Sequence, residues 1–283
     1  MKYVLITGAS SGIGRISAIT LAKNDFQVLA GVRKEEDAQK LRDENLNITP
    51  IFIDVTNQDS INEAFNKVSE IIEDNGLYGL VNNAGIAVAG PLEFLPIDRL
   101  RHQLEINVIG QVNVTQKMLP LIRKGQGRII NISSIAGFTA FPFNGAYAIS
   151  KFAVEALSDT LRRELRPWKI SVSIVEPGVI KTPIWEKSIN LVEDTVAQMP
   201  QEAEKYYGVV YRNLLDRTLK RVERSGAAPE EVAKAILHAL TVKNPKTRYL
   251  VGQDAHFLSK ILTKLPDKIV DSFICKRVGL DKH

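Results

Sequence analysis

Short apolar runs rich in β-branched residues alternate along this sequence with longer segments of helical periodicity. This alternation constrains the fold most strongly, because strands separated by helical crossovers form a parallel sheet. Apolar residues at helical spacing, as along residues 100–122, predict helices that pack on that sheet. We therefore predict an α/β fold: a doubly wound, mostly parallel sheet with helices on both faces. The predicted strands cover residues 3–6, 27–32, 49–53, 77–81, 128–132, 171–175 and 248–251.

The domain organisation follows from the distribution of breaks. No segment rich in proline, glycine or serine divides the first 180 residues, so we predict a single domain over residues 1–255. Within it, residues 184–224 form a predicted helical segment that shapes the substrate site. Residues 256–283 form a predicted C-terminal helical extension, which is amphipathic on both sides of Pro266. Its apolar stripe needs a packing surface, and we expect it to close the substrate site, alone or across a subunit interface.

The charge and cysteine content exclude several functional classes. The 37 Lys and Arg residues exceed the 32 Asp and Glu residues by only five, and both signs are interspersed, which argues against nucleic-acid binding. The single cysteine, Cys275, excludes intrachain disulfides and multi-cysteine metal sites and favours a reducing compartment. No apolar run approaches the roughly 18 residues of a membrane span. We expect a cytoplasmic protein without a metal, with at most peripheral membrane contact through the extension.

A glycine-rich turn follows the first predicted strand and opens the first predicted helix. Residues 7–14 read Thr-Gly-Ala-Ser-Ser-Gly-Ile-Gly, with the spacing G-x-x-x-G-x-G. Glycines at such a turn let the backbone approach a pyrophosphate at the positive end of a helix. Many strand–helix turns use glycine only for their geometry, so this turn alone leaves both a nucleotide site and a purely structural turn open.

Further motifs follow in a definite order. They are Asn82-Asn83-Ala84-Gly85, Asn107, Ser134, Tyr147 with Lys151, and Pro177-Gly178 with Thr182. Together with the glycine turn, over residues 3–182, they resemble the classical short-chain dehydrogenase/reductase family. Residues 171–178 resemble its retinol, hydroxysteroid and hydroxybutyrate dehydrogenase branch. The resemblance implies a Rossmann-type fold, interconversion of an alcohol and a carbonyl compound with a nicotinamide cofactor, and a homodimer or homotetramer.

Three of these residues suit proton transfer. Tyr147 and Lys151 are spaced i, i+4, so their side chains emerge on one helix face. An ammonium nearby favours phenolate over phenol, so we expect Lys151 to lower the pKa of Tyr147 from its usual value near 10. Tyr147 then exchanges a proton with the substrate oxygen while Ser134 positions the carbonyl. Each residue taken singly is better explained as structural, but their combination predicts a catalytic site.

The resemblance implies roles for further residues. The residue in the place of Asn107 holds a helix bend and positions a water beside the lysine, so Asn107 joins the three residues above as catalytic. Asp54 has a second interpretation, because it equally well caps the helix predicted to start near Asn57. The implied cofactor contacts are Gly8, Ser10, Ser11, Gly12, Ile13, Gly14, Arg33, Lys34, Asp54, Val55, Asn83, Ala84, Gly85, Tyr147, Lys151, Pro177, Gly178, Ile180 and Thr182.

The end of the second predicted strand bears on the choice of cofactor. NAD enzymes usually place a carboxylate there, which holds the ribose 2′-hydroxyl. Here Val32 occupies that place and is followed by Arg33 and Lys34, whose charges pair with a 2′-phosphate. We predict NADP(H) as the preferred cofactor. NAD(H) is the alternative, because Glu35 and Glu36 follow directly.

The sequence thus predicts an NADP(H)-dependent oxidoreductase acting on a small-molecule alcohol or carbonyl substrate. Aromatic residues in segments 138–145 and 184–211 favour a bulky apolar, retinoid- or steroid-like compound, although packing against the helices explains them equally well. The alternatives are a non-catalytic NADP(H)-binding regulatory module and an NAD-dependent dehydrogenase of a small hydroxy acid. The aromatic residues expected in the pocket are Phe138, Phe141, Phe143, Trp185, Tyr206 and Tyr207.

Overall fold

One seven-stranded sheet runs through the part of the chain that the computed structural model describes, residues 1–44, 46–185, 199–262 and 264–281. The strand order is β3-β2-β1-β4-β5-β6-β7, and every neighbouring pair is parallel. The predicted doubly wound α/β architecture is confirmed, with a fully parallel sheet in place of a mostly parallel one. The strands are β1 (Tyr3–Ile6), β2 (Gln27–Val32), β3 (Ile48–Phe52), β4 (Gly79–Asn82), β5 (Arg128–Ile132), β6 (Ser171–Pro177) and β7 (Arg248–Val251).

Helices connect the strands and continue beyond the last one. Of the predicted segment 184–224, residues 186–198 lie outside the described residues, and most of the remainder belongs to the long helix α7. The helices are α1 (Gly12–Ala22), α2 (Glu35–Arg42), α3 (Gln58–Ile72), α4 (Ile97–Leu104), α5 (Gly110–Lys124), α6 (Gly145–Glu164), α7 (Gln201–Ser225), α8 (Pro229–Thr241), α9 (Gln253–Leu262) and α10 (Asp267–Val278).

The sheet separates two apolar cores. Because successive side chains of a strand point to opposite faces, Val4 and Ile6 of β1 pack in a core with α1, α2 and α8. Leu5 packs on the other face with α3 and α5. All three side chains are fully buried. Burial on both faces explains why the strands are continuously apolar in sequence instead of alternating.

The order in which the strands are connected creates a crevice at the carboxyl ends of β1 and β4. From β1 the chain builds β2 and β3 on one side, and then crosses to build β4 to β7 on the other. The loops that follow β1 and β4 therefore diverge to opposite faces at the carboxyl ends of the strands. Ligands of open α/β sheets bind in such a crevice.

The predicted helix over residues 100–122 is interrupted. α4 ends at Leu104, a π-helical segment Glu105–Ile109 follows, and α5 begins at Gly110. The expectation of a continuous helix is wrong here, because one wider turn barely changes the spacing of the apolar residues. Short π-helical segments inside α-helices are frequent at functional sites, and this one contains Asn107.

The C-terminal helices present two apolar faces. The inner face of α9, with Ala255, Leu258 and Leu262, packs against Ile135 of the short 3-10 helix Ile135–Gly137. A second set of large apolar side chains is exposed, namely Phe257, Ile261, Leu265, Ile269 and Phe273. Among the described residues, no helix combines the length and the apolar character needed to span a membrane.

Candidate active site

One cavity of about 1290 Å3 collects the predicted site residues. Every residue predicted to contact the cofactor lines it, and so does Ser134; among the predicted catalytic and cofactor-binding residues, Asn107 alone does not. Tyr147 and Lys151 reach it from α6. The other predicted cofactor contacts lie at or after the carboxyl ends of five strands. They are Gly8, Ser10, Ser11, Gly12, Ile13 and Gly14 after β1, Arg33 and Lys34 after β2, Asp54 and Val55 after β3, Asn83, Ala84 and Gly85 after β4, and Pro177, Gly178, Ile180 and Thr182 at and after β6.

The glycine turn leaves room for backbone to meet a ligand. Gly8 and Gly12 have φ angles of 67° and 54°, in the left-handed region that favours glycine. A Cβ atom on Gly14 would lie 2.3 Å from the carbonyl oxygen of Gly8, so only glycine fits there. The first turn of α1 holds no acidic residue, so its amide groups face no competing negative charge. The turn therefore fits the diphosphate of a dinucleotide cofactor.

Thr7 and Asn83 join the ends of β1 and β4. The hydroxyl oxygen of Thr7 accepts hydrogen bonds from the backbone N–H groups of Asn83 and Ala84, both at 3.0 Å. The Asn83 side-chain amide donates to the carbonyl oxygens of Thr7 at 2.9 Å and Gly8 at 3.0 Å. These contacts hold the crevice in shape. Thr7 stands at the start of the glycine motif, but this role is not evident from the sequence, because it depends on the pairing of β1 with β4.

The predicted 2′-phosphate site lies beside Asp54. Arg33 is largely exposed, and its Nη1 atom lies 3.9 Å from Oδ2 of Asp54. The other carboxylate oxygen of Asp54 accepts from the N–H of Thr56 at 2.9 Å and its hydroxyl at 2.7 Å. The interpretation of Asp54 as the cap of α3 is wrong, because Asn57 is the N-cap and accepts from the N–H of Ser60 at 2.9 Å.

Tyr147, Ser134 and Lys151 converge at the centre of the cavity. Tyr147 shares a hydrogen bond with Ser134, and the Lys151 ammonium nitrogen lies 5.5 Å from the centroid of the Tyr147 ring. The same ammonium donates a hydrogen bond to the carbonyl oxygen of Ile132 at 2.8 Å. Lys151 is 4% exposed. The i, i+4 spacing on α6 therefore brings phenol and ammonium to one place, as the sequence predicts.

Burial controls the protonation of both groups. Part of the Tyr147 side chain faces the cavity, but desolvation dominates and raises its pKa to about 12, against a small lowering by Ser134. Burial likewise lowers the pKa of Lys151 to about 8, and the nearby Glu155 carboxylate opposes that change. The expected lowering of the Tyr147 pKa by Lys151 is not found: only the hydrogen bond with Ser134 lowers it, and desolvation outweighs that effect. The site holds a neutral phenol at neutral pH.

Asn107 lies behind the cavity wall. Its side chain is fully buried; Oδ1 accepts from the N–H of Ile86, and Nδ2 donates to the Ile86 carbonyl oxygen, both at 2.9 Å. Nδ2 also lies 3.1 Å from the hydroxyl oxygen of Ser150, a residue of α6. Asn107 thus ties the π-helical segment to the loop after β4 and to α6. All of these contacts are to protein groups.

Residues 2–191 match the family described as short chain dehydrogenase, which is more than half of the chain. The chain belongs to the short-chain dehydrogenase family. Its similarity to known members extends well beyond the matched segment, because the relatives described next align over more than nine tenths of its length.

Three relatives illustrate the range of the family. A 3-amino-tetrahydro-pyrrolizinone reductase of Xenorhabdus hominickii is 42% identical, covering 93% of this chain and 92% of its own. The 17-beta-hydroxysteroid dehydrogenase type 6 of Bos taurus is 39% identical over 97% of this chain and 88% of its own. An NADPH-dependent 3-dehydrocapnine reductase of Ornithobacterium rhinotracheale is 36% identical over 98% and 97%. The predicted branch is confirmed, and the protein is an oxidoreductase.

A solved structure agrees with the fold. A short-chain dehydrogenase from Streptomyces avermitilis superposes with a TM-score of 0.75 at 28% identity, covering 100% of this chain and 98% of that one. The Rossmann-type architecture that the sequence predicts is therefore confirmed.

This short-chain dehydrogenase also carries a partly buried ionic cluster beside Lys151. Glu155 and Glu176 lie near each other, and the Arg248 guanidinium lies 3.1 Å from Glu155 and 3.5 Å from Glu176. Burial, reinforced by the Glu155 charge, raises the pKa of Glu176 to about 7. The cluster was not predicted, although Glu155 lies four residues after Lys151 on the same face of α6 and is the signal that could have revealed it.

The aromatic lining of the cavity is only partly as predicted. Tyr211, which was not predicted, lines it and packs on Phe143 with ring centroids 5.3 Å apart. Phe138 packs instead against the cluster of α9, Tyr206 is 54% exposed, and Tyr207 donates to Glu93 at 2.7 Å. The prediction failed for Tyr206 and Tyr207 because α7 turns only one face towards the cavity, and for Phe138 because it packs against α9. The residues for which it holds are Phe141, Phe143 and Trp185.

Within the described ranges, no group of three or more His, Cys, Asp or Glu side chains is arranged to hold a metal ion.

Proposed function

We propose that this short-chain dehydrogenase interconverts an alcohol and a carbonyl compound with NADP(H), using Tyr147 as the proton donor and acceptor. The observation that carries the proposal is the convergence of Ser134, Tyr147 and Lys151 on the cavity that also contains the glycine turn. Singly, each side chain has a structural explanation. The convergence of a phenol, a hydroxyl and an ammonium group beside the glycine turn is better explained by a role in catalysis.

The proposed mechanism assigns one task to each group. Bound NADPH supplies a hydride to the carbonyl carbon. Ser134 donates a hydrogen bond to the carbonyl oxygen and holds it near the Tyr147 hydroxyl. Tyr147 then gives its proton to that oxygen, which a neutral phenol with a raised pKa is suited to do. The Lys151 ammonium stabilises the phenolate that remains and contacts the nicotinamide ribose.

Asn107 is proposed as a positioning residue. Its contacts with Ile86 and Ser150 hold α6 against the loop after β4, on which the cofactor contacts Asn83 to Gly85 lie. The amide therefore acts on the reaction through the placement of Tyr147 and Lys151.

The proposed cofactor preference rests on Arg33 and Lys34. Both line the cavity at the end of β2, where a 2′-phosphate is bound in NADP(H) enzymes. The relative from Ornithobacterium rhinotracheale is named as NADPH-dependent, which supports NADP(H) as the cofactor of this chain. NAD(H) is the less favoured alternative. NAD enzymes bind the ribose 2′-hydroxyl with a carboxylate, and the carboxylate beside Arg33, that of Asp54, already accepts hydrogen bonds from Thr56.

The size and lining of the cavity support a large substrate. Phe141, Phe143, Trp185 and Tyr211 surround the space next to Tyr147, and relatives are named for retinol and for a 17-beta-hydroxysteroid. A small hydroxy acid would leave most of these apolar surfaces in contact with water, so this alternative is less favoured.

Assembly and location are proposed from the exposed apolar residues of the C-terminal extension and from cysteine content. We propose a homodimer or homotetramer, and light scattering on the purified protein tests this. Substitution of the exposed residues Phe257 and Ile269 tests whether they form the subunit interface. Peripheral membrane contact is the competing use of that face, and cosedimentation with anionic vesicles tests it. The cytoplasmic location remains a prediction from the single cysteine.

The experiment that tests the proposed function is a panel of ketones and aldehydes, from small keto acids to steroids and retinal, assayed with NADPH and with NADH. We expect NADPH oxidation with bulky carbonyl compounds and little with small keto acids. NADPH binding without turnover of any carbonyl would instead favour the non-catalytic regulatory module.

A further inference from the structure

The part of the cavity wall formed by α7 and α10 is basic. Its charged lining residues are Arg217, Lys220, Arg221, Arg224 and Arg277. The acidic lining residues in the described part of the chain all follow β2 or β3, at the adenosine end of the proposed cofactor site; they are Glu36, Asp37 and Asp54. Among the described residues, no carboxylate of α7 or α10 lines the cavity.

Two of the five cations have carboxylate partners. Lys220 pairs with Asp216 at 2.7 Å, and Arg221 pairs with Asp254 at 3.2 Å. For Arg217, Arg224 and Arg277, no carboxylate of the described residues lies within ion-pair distance. Arg217 instead donates from Nη1 to the backbone carbonyl oxygen of Arg277 at 3.2 Å, which joins α7 to α10 and brings the two residues together.

Arg217 and Arg277 lie next to the substrate end of the cavity. Leu280, three residues after Arg277, packs with Phe143 and Tyr211. Arg217 follows Tyr211 by six residues, which is about 9 Å along the axis of α7. Phe143 in turn stands just before α6, the helix that carries Tyr147. The apolar surface of Phe143 and Tyr211 and the two arginines therefore lie next to each other in the same cavity.

We propose that the substrate is an anionic amphiphile, an inference that rests on the proposed carbonyl chemistry. Its apolar part packs on Phe143 and Tyr211, and a carboxylate, sulfonate or phosphate group binds the guanidinium groups of Arg217 and Arg277. Guanidinium groups recognise such oxyanions through paired, charge-assisted hydrogen bonds. A neutral steroid or retinoid would leave this positive charge without a partner.

The cofactor's own phosphates have other binding groups. The diphosphate fits the glycine turn, and the 2′-phosphate fits Arg33 and Lys34. Arg224 lies in the last turn of α7, and just beyond that helix the Ala227 carbonyl oxygen accepts a hydrogen bond from the Lys181 N–H. Arg224 therefore lies near the proposed cofactor contacts Ile180 and Thr182 and is not part of the proposed subsite.

The test compares a medium-chain keto acid with its methyl ester, using NADPH and the full-length protein. The variant of choice is Arg277→Ala, because it removes the guanidinium but keeps the backbone carbonyl that Arg217 contacts; Arg217→Lys is the second variant. Matched controls are Lys276→Ala on α10 and Arg212→Ala on α7, both exposed and outside the cavity. Keto sulfonates and keto phosphates replace the acid in parallel assays, which identifies the head group.

For Arg277→Ala we expect kcat/KM for the keto acid to fall about ten- to a hundredfold, while that for the ester and the Kd for NADPH stay nearly constant. Equal losses for acid and ester, or a wild-type preference for the ester, would overturn the proposal. Weaker binding of NADPH with an unchanged ratio of kcat/KM for acid and ester would also overturn the proposal, because Arg277 would then bind the cofactor.

A binding assay separates this proposal from the proposed function. Decyl sulfonate has no carbonyl group, and its binding to the NADPH-loaded protein is measured by calorimetry. Binding that Arg277→Ala weakens supports the anionic subsite even if no carbonyl compound turns over, in which case only the proposed reaction fails. Turnover of neutral ketones with no Arg277-dependent binding of decyl sulfonate would support the reaction and overturn the subsite.

Discussion

Tyr147 shows how burial sets the chemistry of a single residue. Its phenol is desolvated, and its pKa of about 12 keeps the proton on the oxygen throughout the neutral range. Reduction of a carbonyl needs a proton donor at that place, whereas oxidation of an alcohol needs the phenolate. The ligand-free site therefore holds the protonated phenol that the proposed carbonyl reduction uses. A positive charge near Tyr147, such as that of the nicotinamide ring of the oxidised cofactor, would lower the pKa of the phenol and so favour the phenolate.

The first residue-scale prediction is that Tyr147→Phe lowers kcat by about a hundredfold or more, because the proton donor is lost. The Kd for NADPH should change little, since the glycine turn and Arg33 remain. Stopped-flow reduction rates and a fluorescence titration with NADPH measure the two quantities. Tyr206→Phe, an exposed tyrosine outside the cavity, is the matched control. Near-normal turnover by Tyr147→Phe would contradict the mechanism.

The second residue-scale prediction concerns Arg33. Loss of a charged hydrogen bond to the 2′-phosphate costs about 1.5 to 3 kcal/mol, so Arg33→Ala should lower the preference for NADPH over NADH by about ten- to a hundredfold. The ratio of kcat/KM for the two cofactors measures the preference. Lys40→Ala, an exposed cation of α2 outside the cavity, should leave that ratio unchanged. A wild type that prefers NADH would show the assignment to be wrong.

At the scale of an element, α6 carries two of the proposed catalytic residues and one member of the ionic cluster on the same face. Tyr147, Lys151 and Glu155 follow one another at four-residue intervals, so each lies above the next on the helix surface. The carboxylate of Glu155 raises the pKa of Lys151, while burial lowers it to about 8. Glu155 therefore links the Lys151 ammonium, proposed to be catalytic, to Arg248 of β7.

The element-scale prediction is a pH profile. A lysine with a pKa of about 8 loses its charge as the pH rises, so kcat/KM for carbonyl reduction should fall above pH 8. Glu155→Gln removes the charge that raises this pKa, so the falling limb should move to lower pH. Glu164→Gln, an exposed residue of the same helix, is the control. A limb that stays in place in Glu155→Gln would contradict the coupling.

For the whole molecule, the crevice between β1 and β4 is where we propose that the cofactor binds. The proposed cofactor site draws residues from the ends of β1, β2, β3, β4 and β6, which are far apart in sequence. A dinucleotide that contacts all of these strand ends binds the folded chain and not the unfolded one. Binding should therefore raise the stability of the whole domain, instead of ordering a single loop.

The whole-molecule prediction is a thermal shift. NADPH at a hundred times its Kd should stabilise the fold by about 2.7 kcal/mol, which raises Tm by about 5 °C for a domain of this size. NADH at the same concentration should raise Tm less, because it lacks the 2′-phosphate that Arg33 and Lys34 bind. Differential scanning fluorimetry measures both shifts. Equal shifts for the two cofactors would contradict the assignment of that phosphate site.

The sequence by itself determined those features that depend on neighbours along the chain. The alternation of apolar runs and helical segments predicted the parallel sheet, because each strand and crossover is a local pattern. The glycine turn and the Tyr147–Lys151 spacing predicted residues that the fold does bring to one cavity, because a strand–helix turn and a helix face have fixed local geometry. The exact domain boundaries at residues 255 and 256 remain predictions.

Only the tertiary structure decided those features that depend on contacts between distant segments. The pKa of Tyr147 was expected to fall, but it rises because desolvation depends on all the surrounding elements. Asn107 lies in a π-helical segment that periodicity does not reveal. Tyr211 faces the cavity whereas Tyr206 faces solvent, because the packing of α7 selects which side of the helix is buried. The meeting of Arg217 with Arg277 likewise required the docking of α7 on α10, 60 residues apart in the chain.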